Sequence, residues 1–450
     1  MSAIAIQPRL RPARVQGWMA RGHESPGAMR RQDVPNLAAL AAIQVSNALM
    51  PLFVFPYALS VVGAGPYATL AMTEAVMIAA LSIVLYSFEV DGVARVVRLD
   101  WRREKAALSR VFGTVLWARL ALFGGCLAAA SLARPFLERT TSDLLLAWLA
   151  VPLSYALQAN WLFQAVERNV FVAAVTVASR VGAAILVFTS VKNTEDVARI
   201  PVILGACYLA AALMSFGYAR RALGIRLHRA PVGEILESLR HGWHVFIGSL
   251  AVILYRDFNV VILGAVQGDA KAVAAYSIAE KLVKGLQATM RPLNQIYFPK
   301  TLRKLGDGRR ADRVSLRDVL GFLYPQFIAL TAVIVVAGLA FLAGRGHLEA
   351  SGRLPQADRI AALMAVMLPA TYFGLANFML GTAGLNHLGE REYLYRSILI
   401  VGAASIAACA TLSATLGAEG TAVSFTLAEA LLLSAILLRY NRRPRSTGTR

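Results

Sequence analysis

Charge is what this sequence has least of. Only 16% of its 450 residues are Asp, Glu, Lys or Arg, where soluble domains carry about a quarter, and 57% are hydrophobic. A soluble globular chain is excluded. Cysteine is scarce too: Cys126, Cys207 and Cys409 each sit in an apolar run, far apart, with no histidines clustered near them. That excludes a disulfide framework and a thiolate or imidazole metal site, so the thiols read as small buried hydrophobes. No cofactor is expected. A glycine-rich phosphate loop and a nucleophile motif are also missing, so neither ATP hydrolysis nor any other enzymatic chemistry is expected of this chain alone.

What the sequence has instead is long apolar runs. Residues 34–73 hold no charged side chain, twice the roughly 20 residues that cross a bilayer, and Gly63-Ala64-Gly65-Pro66 breaks them in two. The same criterion places spans near 36–62, 68–88, 111–133, 144–166, 170–191, 200–219, 243–265, 270–296, 319–343, 360–383, 396–416 and 420–438. The expected fold class is an all-α polytopic membrane protein of about 12 transmembrane helices, in two pseudo-symmetric six-helix lobes around a central cavity.

Alternate loops differ sharply in basic charge. One set, including both tails, carries 32 Lys and Arg, the opposite set 8, and 6 fall inside spans. By the positive-inside rule both termini are expected in the cytoplasm, and the net charge of +20 follows from topology, so nucleic acid is not expected as a partner. Arg98, Arg102, Arg103 and Lys105 after span 2, and Lys300, Arg303, Lys304, Arg309 and Arg310 after span 8, fit that map and would attract anionic membrane lipid. Residues 1–33 are Arg-rich and lack the apolar core of a signal peptide. They read as a disordered basic cytoplasmic tail, followed by an N-terminal lobe at 34–221, a cytoplasmic linker at 222–242, a C-terminal lobe at 243–440 and a basic tail at 441–450.

The two halves repeat. Residues 65–74 align with 271–280 and superpose Glu74 on Glu280; Glu167-Arg168-Asn169 matches Glu390-Arg391-Glu392, and Tyr218-Ala219-Arg220-Arg221 matches Tyr440-Asn441-Arg442-Arg443. Six spans return a chain to its starting side, so the repeats would be parallel, with a cavity between them.

Charges inside spans cost about 2.5–3.5 kcal/mol even on a lenient insertion scale, and so normally face a wet cavity or a partner. In span 8, Glu280, Lys281, Lys284 and Arg291 fall on one helical face within roughly 100° and rise roughly 15 Å. The alternative is a Glu280–Lys284 pair with Lys281 and Arg291 reaching towards opposite surfaces. Arg180 lies mid-span 5 and Arg256-Asp257 interrupts span 7, where a cavity-facing role is favoured over an interhelical pair; Arg119 lies in span 3, nearer an interface, where the interhelical pair is favoured. Glu74, Asp257 and Glu280 are candidates for proton or sodium coupling, or for neutralising a nearby cation. Six intramembrane cations against these three acids point to an anionic substrate, and the length of the stripe to an amphiphile. Pro51, Pro56, Pro292 and Pro369 are bending points inside spans.

Several segments resemble a known family. Residues 47–59 (Asn47-Ala48-Leu49-Met50-Pro51 through Leu59) with Val62-Gly63, the segment Leu385-Asn386-His387-Leu388-Gly389, residues 417–422 followed by Glu429, and residues 292–299 are similar to Wzx-type O-antigen and exopolysaccharide flippases. The likeness covers about residues 36–438. Glu89-Val90-Asp91 is more acidic than that family's pattern, and Tyr67 replaces its usual turn ending. The resemblance implies the multidrug/oligosaccharidyl-lipid/polysaccharide exporter fold and a polyprenyl-diphosphate-linked oligosaccharide flipped across a bacterial inner membrane, alongside polysaccharide polymerase and chain-length machinery. Lys281, Lys284, Arg291, Arg180 and Arg256, with Arg119, would then attract the diphosphate and acidic sugars. A drug or organic-cation antiporter of the same superfamily would need a predominantly acidic cavity. A membrane polymerase would need a substantial external loop, and the longest expected one, near 344–359, is short.

Overall fold

The computed structural model of the chain describes residues 33–290, 294, 316–386 and 388–442, and among these it contains no β-strand. Arg291, Pro292, the basic run near 300–310, His387 and the outer parts of both tails lie outside the described residues.

The first half runs α1 (Asp33–Val62), α2 (Ala64–Leu85), α3 (Phe88–Val97) and α4 (Lys105–Ala133), then a fourth span in pieces, α5 (Arg139–Trp148), α6 (Ala150–Leu157) and α7 (Asn160–Ala165), then α8 (Asn169–Ser190) and α9 (Arg199–Ala222). The second half runs α10 (Val232–Arg256), α11 (Asn259–Gln267), α12 (Ala270–Thr289), α13 (Leu316–Ala350), α14 (Ala357–Met367), α15 (Pro369–Ala376), a π-helical stretch over Asn377–Leu385, and α16 (Arg391–Arg442).

Among the described residues, nine stretches are long and apolar enough to cross a membrane, and α10 with α11 makes a tenth, bent by 43°. Gly417 (φ 63°, ψ −137°) divides α16 into two helices, and α12 is set apart only by the charges in its middle. The arrangement is consistent with the twelve spans expected. The backbone at Gly417 lies where a side chain is strongly disfavoured, at about 1–3 kcal/mol. Gly417→Ala is therefore expected to lower the thermal unfolding temperature by a few degrees, measured on purified protein in detergent.

Two boundaries differ from the sequence reading. The linker is helical from Val232, leaving 223–231 as the connection, and α13 continues to Ala350, shrinking the expected loop at 344–359 to 351–356. Both have one cause: an apolar-run criterion stops where charge begins, and α10 opens with Glu234, Glu237 and Arg240 while α13 ends with Arg345 and His347. These are helical turns that continue past the apolar stretch.

Three apolar cores explain the shape. The largest joins the halves: Val54, Leu59, Tyr67 and Leu70 of α1 and α2 pack with Val273, Tyr276 and Ile278 of α12, Ile360 of α14 and Phe425 of α16. Alanines at 272, 274, 275 and 279 are all at most 2% exposed, letting α12 approach its neighbours closely. The other two are separate from each other, and α10 packs Ile235 and Leu239 onto the first of them. One lies around Phe88, Phe112, Trp161 and Phe163 of the first half, the other around Leu323, Met379, Leu394 and Ile436 of the second. Two halves fused at one end and separately cored at the other leave a cleft between them. Across it α10 meets the first half: Tyr86 Oη donates to the Leu239 carbonyl (2.9 Å), its ring stacks on Phe246 at 4.4 Å, and Thr114 Oγ1 donates to Glu234 Oε2 at 3.3 Å.

Candidate functional site

The cleft holds two adjoining chambers of about 550 and 450 Å³, which share Asp257, Lys284 and Ala288 on their walls. The first is lined by Arg256, Gln287, Asn294 and Thr371 among others. The second is lined by Asn47, Glu74, Tyr155, Arg180, Tyr208, Glu280 and Lys281. Five of the six cations proposed from sequence fall on described residues, and four of them line these chambers.

Their pairing departs from the expected excess of positive charge. Lys281 Nζ lies 2.6 Å from Glu74 Oε2, joining α12 to α2, the two helices that the internal repeat aligns, and sits 4.3 Å from the centre of the Phe55 ring. Lys284 Nζ bridges Asp257 Oδ1 at 2.6 Å and Glu280 Oε1 at 2.8 Å, so the pair within α12 forms and recruits a third partner from the α10–α11 bend. Arg256 donates to Gln287 Oε1 at 2.6 Å and lies 3.6 Å from Glu429 Oε1, whose other oxygen accepts from Asn377 Nδ2 at 2.8 Å. Each of these three cations is neutralised by an acid on another helix.

Arg180 is different. It is 4% exposed, and its Nε donates to Asn47 Oδ1 (2.9 Å) and its Nη2 to Tyr155 Oη (3.2 Å), while the guanidinium lies 3.3 Å from the Tyr208 ring centre. All three partners are neutral. Among the described residues no carboxylate lies within ion-pair distance of it, so Arg180 is the one cation on the chamber walls without a carboxylate partner. A planar guanidinium with donors to spare suits a bidentate phosphate contact.

Arg119 does not line either chamber. It is 1% exposed, pairs with Glu89 at 2.6 Å and donates to the Tyr155 carbonyl at 3.2 Å. The interhelical alternative fits it, and the unexpected acid at Glu89 is its counterion. Glu429 is the residue that sequence reasoning left out of the site. It stands in an otherwise uncharged run and is 2% exposed, so the criterion that selected Glu74 selects it too. Asn47, Tyr155 and Tyr208 gave no such signal, because a neutral polar side chain in a span costs too little to stand out.

Residues 34–301 match the family model described as polysaccharide biosynthesis protein. The chain belongs to that family. The resemblance read from the sequence is borne out at the level of this family. It is 24% identical, over 90% of its own length and 95% of the relative's, to a protein named for O-antigen transport in Escherichia coli (strain K12), and 24% identical over 68% and 75% to one so named in Shigella dysenteriae. Among solved structures, it is similar to the lipid II flippase MurJ in an inward closed conformation (TM-score 0.66, 11% identity, 91% of this chain and 88% of that one). It is also similar to an inward-facing multidrug resistance transporter of the MATE family and MOP superfamily (TM-score 0.64, 14% identity, 94% and 97%). At such identities these likenesses concern the fold. The fold of this chain is thus that of a helical membrane protein with a cleft between its halves.

Proposed function

We propose that this protein is a flippase that moves a polyprenyl-diphosphate-linked oligosaccharide across the bacterial inner membrane by alternating access, for O-antigen or exopolysaccharide synthesis. The observation that carries the reading is Arg180: a buried guanidinium with no carboxylate partner among the described residues, on the wall of a chambered cleft and beside ion pairs able to exchange partners. The relatives named for O-antigen transport support the same cargo class.

In this mechanism the diphosphate enters against Arg180 and draws Lys281 and Lys284 from Glu74, Asp257 and Glu280. The sugars occupy the polar chamber bounded by Gln287, Asn294 and Thr371. The released acids take up H+ or Na+, which ties the return of the empty protein to an ion gradient. Both termini are assigned to the cytoplasm, so the cleft faces the side on which the lipid-linked sugar is made. Polymerase and chain-length proteins would act on what it delivers.

The acids of the site now equal its cations in number, four to four, which gives the organic-cation antiporter reading one observation in its favour. Reconstituted vesicles separate the two. Flipping of a fluorescent polyprenyl-diphosphate oligosaccharide without efflux of an organic cation dye is the expected result, and dye efflux without flipping would overturn the proposal.

A further inference from the structure

At the end of the bundle where α1 begins, the first half gathers three cations around one indole. The guanidinium carbons of Arg102 and Arg168 lie 5.2 and 5.4 Å from the centre of the Trp101 ring, and Lys105 Nζ lies 4.9 Å from it. Like charges brought this close repel one another. Among the described residues none of the three has a carboxylate within ion-pair distance: the adjacent Asp100 pairs with Arg103, and Glu104 accepts from the Asp100 amide. The cluster is also held in place, because Lys105 donates to the Leu223 carbonyl at 2.8 Å, tying the start of α4 to the end of α9.

Beside it lies a groove of about 780 Å³, bounded by Phe171, which follows Arg168 on α8, and by Ile225, which follows Leu223. Its rim adds Arg220 and Arg221, both exposed and both without a carboxylate partner among the described residues. Its floor is Tyr218 stacked on Phe171, with ring centres 4.0 Å apart. From there the groove meets the outer face of α8 and α9, where Val170, Leu213 and Met214 are 54, 53 and 55% exposed. A cationic rim set above an apolar wall is complementary to an amphiphile with an anionic head.

We propose that this corner is a binding site for an anionic phospholipid, its headgroup held by Arg220 and Arg221 on the groove rim together with Arg168 of the adjoining Trp101 cluster, and its acyl chains lying along α8 and α9. The site shares no residue with the two chambers and is independent of the cargo. The unbroken passage from charged rim to apolar wall favours a lipid over a free phosphate, which would use only the rim.

Native mass spectrometry of the full chain released from detergent, with phosphatidylglycerol, phosphatidylethanolamine or inorganic phosphate added, tests this. Phosphatidylglycerol is expected to be retained over phosphatidylethanolamine. Combining Arg168→Gln, Arg220→Gln and Arg221→Gln should cut its occupancy on the order of a hundredfold, from the strength of single basic residues towards anionic lipid. Arg240→Gln with Arg391→Gln, which neutralises two exposed arginines of the second half outside the groove, should leave occupancy unchanged. Should the triple variant fail to fold, Arg221→Gln alone is expected to lower retention severalfold. Equal retention of the two lipids, equal losses in the triple and control variants, no loss in Arg221→Gln, or displacement of phosphatidylglycerol by inorganic phosphate would each overturn the proposal.

Discussion

Arg180→Gln is expected to reduce flipping of a diphosphate-linked oligosaccharide by at least a hundredfold while leaving the protein folded. Hydrogen bonds to charged groups are worth about 1.5–3 kcal/mol each, and a bidentate phosphate contact makes two of them, so their loss corresponds to a factor of roughly a hundred or more at about 1.4 kcal/mol per tenfold. Stability should survive for a specific reason. The partners of Arg180 are Asn47, Tyr155 and Tyr208, all neutral, so removing the guanidinium strands no buried opposite charge. Arg180→Lys keeps the charge and loses the planar fork, and should retain an intermediate rate. The check is an initial flipping rate in reconstituted vesicles, read beside the thermal unfolding temperature of each variant. A folded Arg180→Gln protein that flips normally would remove Arg180 from the substrate site.

The Glu74–Lys281 pair should behave in the opposite way. Its side chains are 11 and 16% exposed and 2.6 Å apart, and breaking a buried pair from one side strands the other charge at a typical cost of about 3–5 kcal/mol. Glu74→Gln and Lys281→Gln are each expected to lower the thermal unfolding temperature clearly, and the double variant to recover most of that loss. Because the pair joins α2 to α12, it also bears on how the halves move. Under the proposed mechanism the double variant should flip slowly and respond weakly to an imposed ion gradient, having lost an acid that takes up the coupling ion and the lysine that competes for it. A double variant no more stable than either single one would show that the pair contributes little, and that each residue answers to other neighbours.

The fold was legible in the sequence because its determinants are local. A run of about 20 apolar residues, a Gly-Pro break or a basic loop each declares itself within a short window, and the charged face of α12 follows from the helical period alone. Charge pairing was not legible, because it depends on residues far apart in the chain. Glu74 and Lys281 are 207 positions apart, and nothing local in either sequence names the other. The count of six cations to three acids therefore pointed to an electropositive cavity, whereas Glu74, Asp257, Glu280 and Glu429 neutralise three of the cations that line it. For Arg119 the sequence offers the interhelical pair but not its counterion, Glu89, which lies on a different helix. The amphipathic first turns of α10 were missed because a search for apolar runs ends where water begins. Asn47 is an intermediate case: it stands in a segment whose resemblance to flippases was visible, although its part in holding Arg180 was not.

The most direct test of the account compares two cargoes in vesicles containing the native protein. One is a fluorescent polyprenyl-diphosphate oligosaccharide, the other the same lipid-linked sugar without phosphates, each followed with and without an imposed proton or sodium gradient. The account requires that only the diphosphate form be moved, at a rate that changes when the gradient is collapsed. Equal movement of both cargoes would contradict the role given to the Arg180 guanidinium, and movement of neither by folded protein would contradict the flippase itself.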